Sequence, residues 1–245
     1  KVFTIEKRGV VLTPVDAALS KTYGSDDPTL TVTNSGAGSG AEEIPNVVTR
    51  ATGETVNTWA FVAPTSSNYL FTIASGKVFT IEKRPVTVTA DDKTRVYGDA
   101  NPALTFAVAA DGTGTSRGMY NSQTLTGAVA TAATQATNAG NASITQNTVT
   151  NANNANYDIT YNNGTLSITP AVLTYSATAA SSIYGSTPNV NAGTVTGWKN
   201  SETANTATTG TLLFSTTATA TSNVGSYGIT GSGLTANNGN YTFEQ

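Results

Sequence analysis

The acidic residues beside the Tyr-Gly pairs are the first groups in this sequence that could do chemistry: Asp26, Asp27, Asp91, Asp92 and Asp99. Calcium takes oxygen ligands from several carboxylates and carbonyls, so such a set could stiffen a chain at its turns. The third Tyr-Gly pair is followed by Ser186-Thr187-Pro188, with no acid, whereas a shared site is expected in every repeat. Turn capping by the aspartates is therefore the favoured reading. Lys21 and Lys93 precede two of the same pairs. A lysine–asparagine isopeptide bond would need a deprotonated amine, buried beside an acid. Ser181-Ser182-Ile183 holds that place in the third copy, which favours plain solvated lysines. Glu42 and Glu43 are adjacent, so on a strand they point to opposite faces rather than across a cleft, as glycoside hydrolysis requires. Trp59, Trp198 and loop Tyr120 could stack on sugars, but most aromatic positions follow the core period and read as packing. The Thr-Val-Thr triplets at 31–33, 87–89 and 194–196 read as exposed strand faces.

Composition removes whole classes. There is no His and no Cys, so Ser-His-Asp and Cys-His nucleophiles, thiolate metal sites and disulfides are impossible within this sequence. Only 11% of residues are charged, the net charge is −3, and Lys and Arg are scattered. No basic stripe offers itself to a phosphate backbone, so nucleic acid is not an expected partner. No apolar run approaches the ~18 residues of a membrane helix. With 38% hydrophobic residues the chain can bury several modest cores. No enzyme activity and no cofactor is expected, and no catalytic, cofactor-binding or metal residue is assigned.

The strongest signal is repetition. Lys1-Val2-Phe3-Thr4-Ile5-Glu6-Lys7-Arg8 recurs, letter for letter, as residues 77–84. Tyr23-Gly24, Tyr97-Gly98 and Tyr184-Gly185 form a second series, with Pro28, Pro102 and Pro188 a few residues on. Asn68-Tyr69, Asn156-Tyr157 and Asn240-Tyr241 form a third. All three fall in one order, which predicts modules at 9–84, 85–169 and 170–245. Within a module the apolar period is two, the mark of strands: Tyr69, Phe71 and Ile73, or Tyr157, Ile159 and Tyr161. Ala74-Ser75-Gly76 and Asn162-Asn163-Gly164 then predict hairpin turns. A closing strand follows, with Phe79 and Ile81 matching Leu166 and Ile168. Opening strands are expected near 10–15, 86–90 and 172–177. Middle strands are expected at 30–33, 104–108, 125–129, 143–146, 211–214 and 227–230. A helical turn fits 197–204 and 116–124, and the Ala/Thr/Asn-rich 131–141 and 147–156 read as solvated loops. The fold class is all-β: a tandem array of three small antiparallel modules, sandwich or β-grasp-like. Arg84-Pro85 and Thr169-Pro170 leave almost no linker, so an elongated rod is expected.

Val86-Thr87-Val88-Thr89-Ala90, then Tyr97-Gly98-Asp99-Ala100-Asn101-Pro102, then Asn156 through Pro170, resemble the MBG-type (YGX) repeats of large bacterial surface proteins. Such repeats recur in filamentous-haemagglutinin-like adhesins. Tyr184-Gly185 with Val224-Gly225-Ser226-Tyr227 is similar to the same pattern, and so is Tyr23-Gly24-Ser25-Asp26-Asp27-Pro28. In the first module Val56-Asn57-Thr58-Trp59 stands where family members often carry Val-Gly-Thr-Tyr. The resemblance implies an extracellular structural role in a stalk, fibre or adhesin, and it carries over no catalytic residue. A glycan-binding adhesive module, with host or matrix glycans as partners, is the alternative.

Residues 1–8 match a closing strand whose own module is not in the sequence, and the third module reaches Gln245 before a closing strand of its own. Val2, Phe3, Thr4, Ile5 and Glu6 are thus a candidate self-assembly strand, with Asn240, Tyr241, Thr242 and Phe243 as its acceptor edge. Head-to-tail joining of copies is one expectation, and covalently continuous repeats of a longer polypeptide are another. An arbitrary segment boundary is the third.

Overall fold

A computed structural model of the chain describes residues 1–16, 19–36 and 43–245; Glu42 lies outside the described residues. The first repeat gives β1 (Arg8–Pro14), β2 (Ser20–Thr22), β3 (Val32–Asn34), β4 (Thr49–Arg50), β5 (Asn57–Val62), β6 (Tyr69–Ile73) and β7 (Val78–Glu82). The second gives β8 (Arg84–Ala90), β9 (Lys93–Val96), β10 (Phe106–Val108), β11 (Gly140–Ile144), β12 (Tyr157–Asn162) and β13 (Gly164–Thr169). The third gives β14 (Ala171–Ala177), β15 (Gly193–Thr196), the single helical turn α1 (Ala204–Ala207), β16 (Thr208–Thr216), β17 (Ile229–Ala236) and β18 (Tyr241–Glu244). The all-β class expected from the sequence is the one observed.

Period-two alternation sets which side chains are buried. Val10, Leu12 and Pro14 face inward from β1, Val86, Val88 and Ala90 from β8, and Ala171, Leu173 and Tyr175 from β14. Thr13, Thr87, Thr89 and Thr174 take outward places on the same strands, where a β-branched side chain suits a pleated surface.

The pairing is mixed rather than purely antiparallel. Each opening strand is the middle of three, in the orders β3-β1-β6, β10-β8-β12 and β15-β14-β18. β1 runs parallel to β6, β8 to β12 and β14 to β18. Most of a repeat separates each such pair, long enough for the crossover that parallel neighbours need. Closing strands lie in other sheets. β7 sits between β2, parallel, and β5, antiparallel, and β13 sits likewise between β9 and β11. The turns at 74–76 and 162–164 therefore do not close hairpins. β6 and β12 spend their backbone groups on β1 and β8, and the chain passes from one sheet into another. In the third repeat the second sheet holds only β16 and β17.

The chain forms two compact units, residues 1–89, 107–128 and 147–162, and residues 90–106, 129–146 and 163–245. The second repeat places most of its β10-β8-β12 sheet in the first unit and its β11-β13-β9 sheet in the second. In the first unit Phe79 is fully buried, edge-on to Phe61 at 6.4 Å. In the second, Leu166 and Leu173 are fully buried, and Tyr175 stacks on Phe243 at 5.4 Å.

Several expected elements differ. Residues 125–129 form no strand: the Thr126 and Ala128 N–H groups bond instead to the side chains of Asn154 and Thr148, at 2.7 and 2.9 Å. Loop 147–156 is more than solvated chain, because Asn154 is buried and its amide also bonds the Thr126 and Thr150 carbonyls. The helical turn expected at 197–204 begins at Ala204, and 116–124 holds turns without helix. Closing strands pair with β2 and β5, or β9 and β11, and not with the β6-type strand. The acceptor edge expected at Asn240, Tyr241, Thr242 and Phe243 accordingly falls on β18 and the residue before it, and β18 pairs with β14. Asn240 and Tyr241 are buried.

The two octapeptides have opposite fates. Phe79 and Ile81 are 0% and 1% exposed, while Phe3 and Ile5 are 88% and 86% exposed. Phe79→Ala is expected to lower the unfolding free energy by about 3–5 kcal/mol through transfer and cavity terms. The same change at Phe3 should stay within about 0.5 kcal/mol. Urea titration of both variants checks this.

Candidate functional site

The first two Tyr-Gly turns build the same joint. Each follows the strand paired to a closing strand, and the tyrosine N–H extends that ladder: Tyr23 donates to the Glu82 carbonyl and Tyr97 to the Thr169 carbonyl, both at 2.8 Å. The next residue must turn in left-handed geometry, with φ of 77° at Gly24 and 81° at Gly98. Glycine adopts it without steric cost. The chain of the following repeat presses on that bare backbone, Tyr120 on Gly24 and Lys199 on Gly98.

The tyrosine rings then enter a polar lock. Gln123 accepts a hydrogen bond from the Tyr157 hydroxyl at 2.6 Å and donates to the Tyr23 hydroxyl at 3.0 Å. In the second unit Glu202 takes both bonds, from Tyr97 at 2.9 Å and from Tyr241. The ring pairs repeat as well: Tyr23 meets Tyr157 edge-on at 5.7 Å, and Tyr97 meets Tyr241 edge-on at 5.5 Å. The Tyr120 and Lys199 N–H groups donate to the Tyr157 and Tyr241 hydroxyl oxygens, at 3.3 and 2.9 Å. Asn156 accepts from the Val56 N–H at 3.0 Å, as Asn240 does from Ala139 at 2.8 Å. Two of the markers that recur in the sequence, Tyr-Gly and Asn-Tyr, meet here twice over.

A family model for the MBG domain (YGX type) matches residues 86–167 and 173–245. This chain belongs to that family. No curated protein and no solved structure matches it. The two matched stretches are tandem MBG repeats, and the Tyr97-Gly98 pair of the first of them enters the joint, whereas Tyr184 of the second is exposed.

Sequence reasoning missed Gln123, Glu202 and Arg84. Gln123 and Glu202 lie in a recurring x-Asn-Ser-(Gln/Glu)-Thr, Tyr120–Thr124 and Lys199–Thr203, which was the available signal. Its Asn and Ser are left-handed in both copies, with φ of 47° and 56° at Asn121 and Ser122 and 52° and 59° at Asn200 and Ser201. Arg84 ends the second octapeptide. It is buried, with Nε donating to the Gly118 carbonyl at 2.8 Å and the guanidinium also reaching the Arg117 and Tyr23 carbonyls.

The other candidates are structural. Lys21 is buried, 2.6 Å from Asp27 and 2.5 Å from Glu54, and Arg50 bonds the same two carboxylates beneath Trp59 and Phe79. Burial opposes the Lys21 charge, but the two carboxylates outweigh it and raise its pKa. An ammonium so held cannot attack an asparagine. Arg95 takes the equivalent place in the MBG repeat at 86–167, bonding Asn101 at 2.8 Å. Asp99 pairs with Lys199 at 2.8 Å, Asp91 bonds Thr105, Asp92 caps the Thr165 N–H at 2.7 Å, and Asp26 and Glu43 are exposed. Among the described residues no set of acids, histidines or cysteines converges on a metal position. The three rings considered as sugar platforms all pack within the fold. Tyr120 lies on Tyr23 at 5.4 Å, Trp198 on Tyr241 at 5.6 Å, and Trp59 over Gly53.

The joint titrates on the alkaline side. Burial pushes the Tyr157, Tyr97 and Tyr241 phenols above their ordinary range, and the Glu202 carboxylate adds to this at Tyr97 and Tyr241. A raised folded pKa gives stability that is whole below the unfolded phenol value, about 10, and is lost as pH rises through the folded values. Thermal melts should therefore fall as pH rises above about 10, and Tyr241→Phe should flatten that fall while lowering neutral stability by ~1–2 kcal/mol. Glycine variants test the contact separately. Gly98→Ala and Gly185→Ala share the left-handed φ penalty of ~1 kcal/mol, but only the first forces a methyl onto a neighbour. Denaturant titration should show Gly98→Ala costing ~1–3 kcal/mol more than Gly185→Ala.

Proposed function

We propose that this chain is a non-catalytic structural stretch of an extracellular stalk or fibre on a bacterial surface, with residues 9–84, 85–169 and 170–245 as its three modules. The observation that carries the proposal is the joint, built twice with the same residue types in the same roles. A device that recurs at successive repeats and holds no open chemical site suits a spacer that sets distance and limits bending. Membership of a repeat-domain family supports the same reading. Composition agrees, since a chain without His or Cys and with one Met offers little to oxidise or metallate. The engaged rings of Tyr120, Trp59 and Trp198 weigh against glycan stacking. Successive units join into a longer array, through covalent continuity or end to end.

Three modules of these lengths, each roughly 30 Å across by the scaling of compact domains, predict an end-to-end length on the order of 90 Å. Small-angle scattering of the monomer should give a maximum dimension near that value. A dimension under about 70 Å, that of a compact globule, would overturn the stalk.

A further inference from the structure

The sequence joins asparagine to glycine twice, at Asn163-Gly164 and Asn238-Gly239. Glycine has no side chain to hinder its own amide nitrogen from reaching the carbonyl carbon of the asparagine side chain, so such bonds are open to self-modification. The fold treats the two differently. Gly164 is buried at the start of β13, where it pairs with Ile144, and a Cβ placed on it would lie 2.7 Å from the Ala90 carbonyl oxygen. Its peptide plane cannot turn without leaving that ladder. Asn238 and Gly239 are exposed in the single 3-10 turn Asn237–Gly239, with φ of 54° and 66°. A Cβ on Gly239 would meet nothing within 4 Å, so this peptide plane is free to rotate.

The preceding repeat shows the same position when it is held. Counting from the Asn-Tyr pairs, Asn238 matches Asn154 and Gly239 matches Ala155. Asn154 is 8% exposed; it accepts from the Thr126 N–H at 2.7 Å and donates to the Thr126 and Thr150 carbonyls, both at 2.9 Å. Counting from the left-handed Asn-Ser pairs, Thr126 matches Asn205, which lies in α1. There it is the neighbouring Asn237 that reaches across, to the Thr206 carbonyl at 3.4 Å. The cover over Asn154 thus comes from the 126 and 150 segments, and the third repeat folds its counterpart of the first as helix.

We propose that Asn238 is a self-modification site, which converts with age to isoaspartate and aspartate and thereby loosens the second joint. The Gly239 nitrogen attacks the side-chain carbonyl carbon of Asn238, and the bond to the side-chain nitrogen breaks. That nitrogen leaves as ammonia, taking the proton of the Gly239 amide, and a five-membered imide remains. Water then adds to one imide carbonyl and opens the ring. Opening on one side gives aspartate; opening on the other gives isoaspartate, whose backbone runs through Cβ and is one carbon longer. The joint begins two residues on. The Asn240 N–H closes the turn on the Asn237 carbonyl at 3.2 Å, and the Asn240 side chain holds the Ala139 N–H at 2.8 Å and Asn138 at 3.0 Å. Tyr241 follows, bonded to Glu202. An extra backbone carbon at 238 breaks the turn closure and displaces both residues from their partners. The first joint is spared, because Asn156-Tyr157 follows Ala155.

The test ages the full chain in mildly alkaline buffer and follows both Asn-Gly bonds by peptide mass mapping, with an isoaspartate-specific carboxyl methyltransferase to label the product. In the folded chain Asn238 should convert about tenfold or more faster than Asn163, whose reaction must wait for local opening. In urea the two rates should converge. Hydrogen exchange at Ala139 and Lys199, whose N–H groups Asn240 and Tyr241 hold, should quicken in step with isoaspartate, while exchange at Val56 and Tyr120 in the first joint stays constant. Asn238→Ser should abolish both changes, and fresh Asn238→Asp, which adds the charge without the extra carbon, should exchange as the unaged chain does. Equal conversion of the two bonds in the folded chain, or an intact Asn238, would overturn the site. Isoaspartate at 238 with unchanged exchange at Ala139 and Lys199, or the same quickening in aged Asn238→Ser, would overturn its effect on the joint.

Discussion

A single residue, Lys83 or Pro170, separates the closing strand of one repeat from the opening strand of the next, and the rest of the architecture answers to that constraint. The closing strand must bury its alternate side chains between two neighbours in one sheet. One residue later the same chain must serve as the central strand of another sheet. Neither strand can shift register without moving the other, because a slip by one residue would turn Phe79 and Ile81, or Val86 and Val88, to the wrong face. Modules of this size bury too little surface to be robust alone, so a shared backbone and a packed junction each add stability where it is short.

The joint shows how that packing is made specific. Phenol hydroxyls inside a protein lose more from an absent partner than they gain from a present one, so every hydroxyl in the lock has a designated acceptor or donor. The two copies solve this with different chemistry. Gln123 is neutral and offers both a donor and an acceptor, so Tyr23 can receive a bond while Tyr157 gives one. Glu202 can only accept, so Tyr97 and Tyr241 both donate. Charge-assisted bonds are the stronger kind, and they hold these two phenols protonated more firmly. The geometry survives the exchange because the left-handed Asn-Ser pair, and not the charge, aims the side chain.

Much of this was legible in the sequence. Residue identity at 1–8 and 77–84, and the alternation in β1, β8 and β14, sufficed for the all-β class and the repeat. The Tyr-Gly and Asn-Tyr pairs were legible as markers but not as partners, because period-two patterning tells which face a residue takes and not which distant strand it meets. Mixed pairing was hidden for the same reason: an Asn-Asn-Gly between two strands fits a hairpin locally, and only the competing ladder on β8 excludes it. Buried Lys21 and Arg84 were also beyond reach, since composition assigns charges to the surface and cannot see the carboxylates or carbonyls that make burial tolerable. The Asn side chains of 147–156 look like loop filler until Thr126 is seen to need an acceptor.

The closing strand and the joint are one cooperative element rather than two. The tyrosine that enters the lock is placed by its own N–H, and that N–H bonds a closing-strand carbonyl. Without the strand the turn has no ladder to extend, and the ring has no fixed direction in which to point. The third repeat carries a turn of the same kind. Its Tyr-Gly pair keeps the left-handed glycine, at φ 89°, yet the tyrosine stands in solvent and the residue before it with it. Local sequence therefore suffices for the turn but not for the joint. In both joints that form, the closing strand that completes a repeat is also the strand that places its tyrosine against the next.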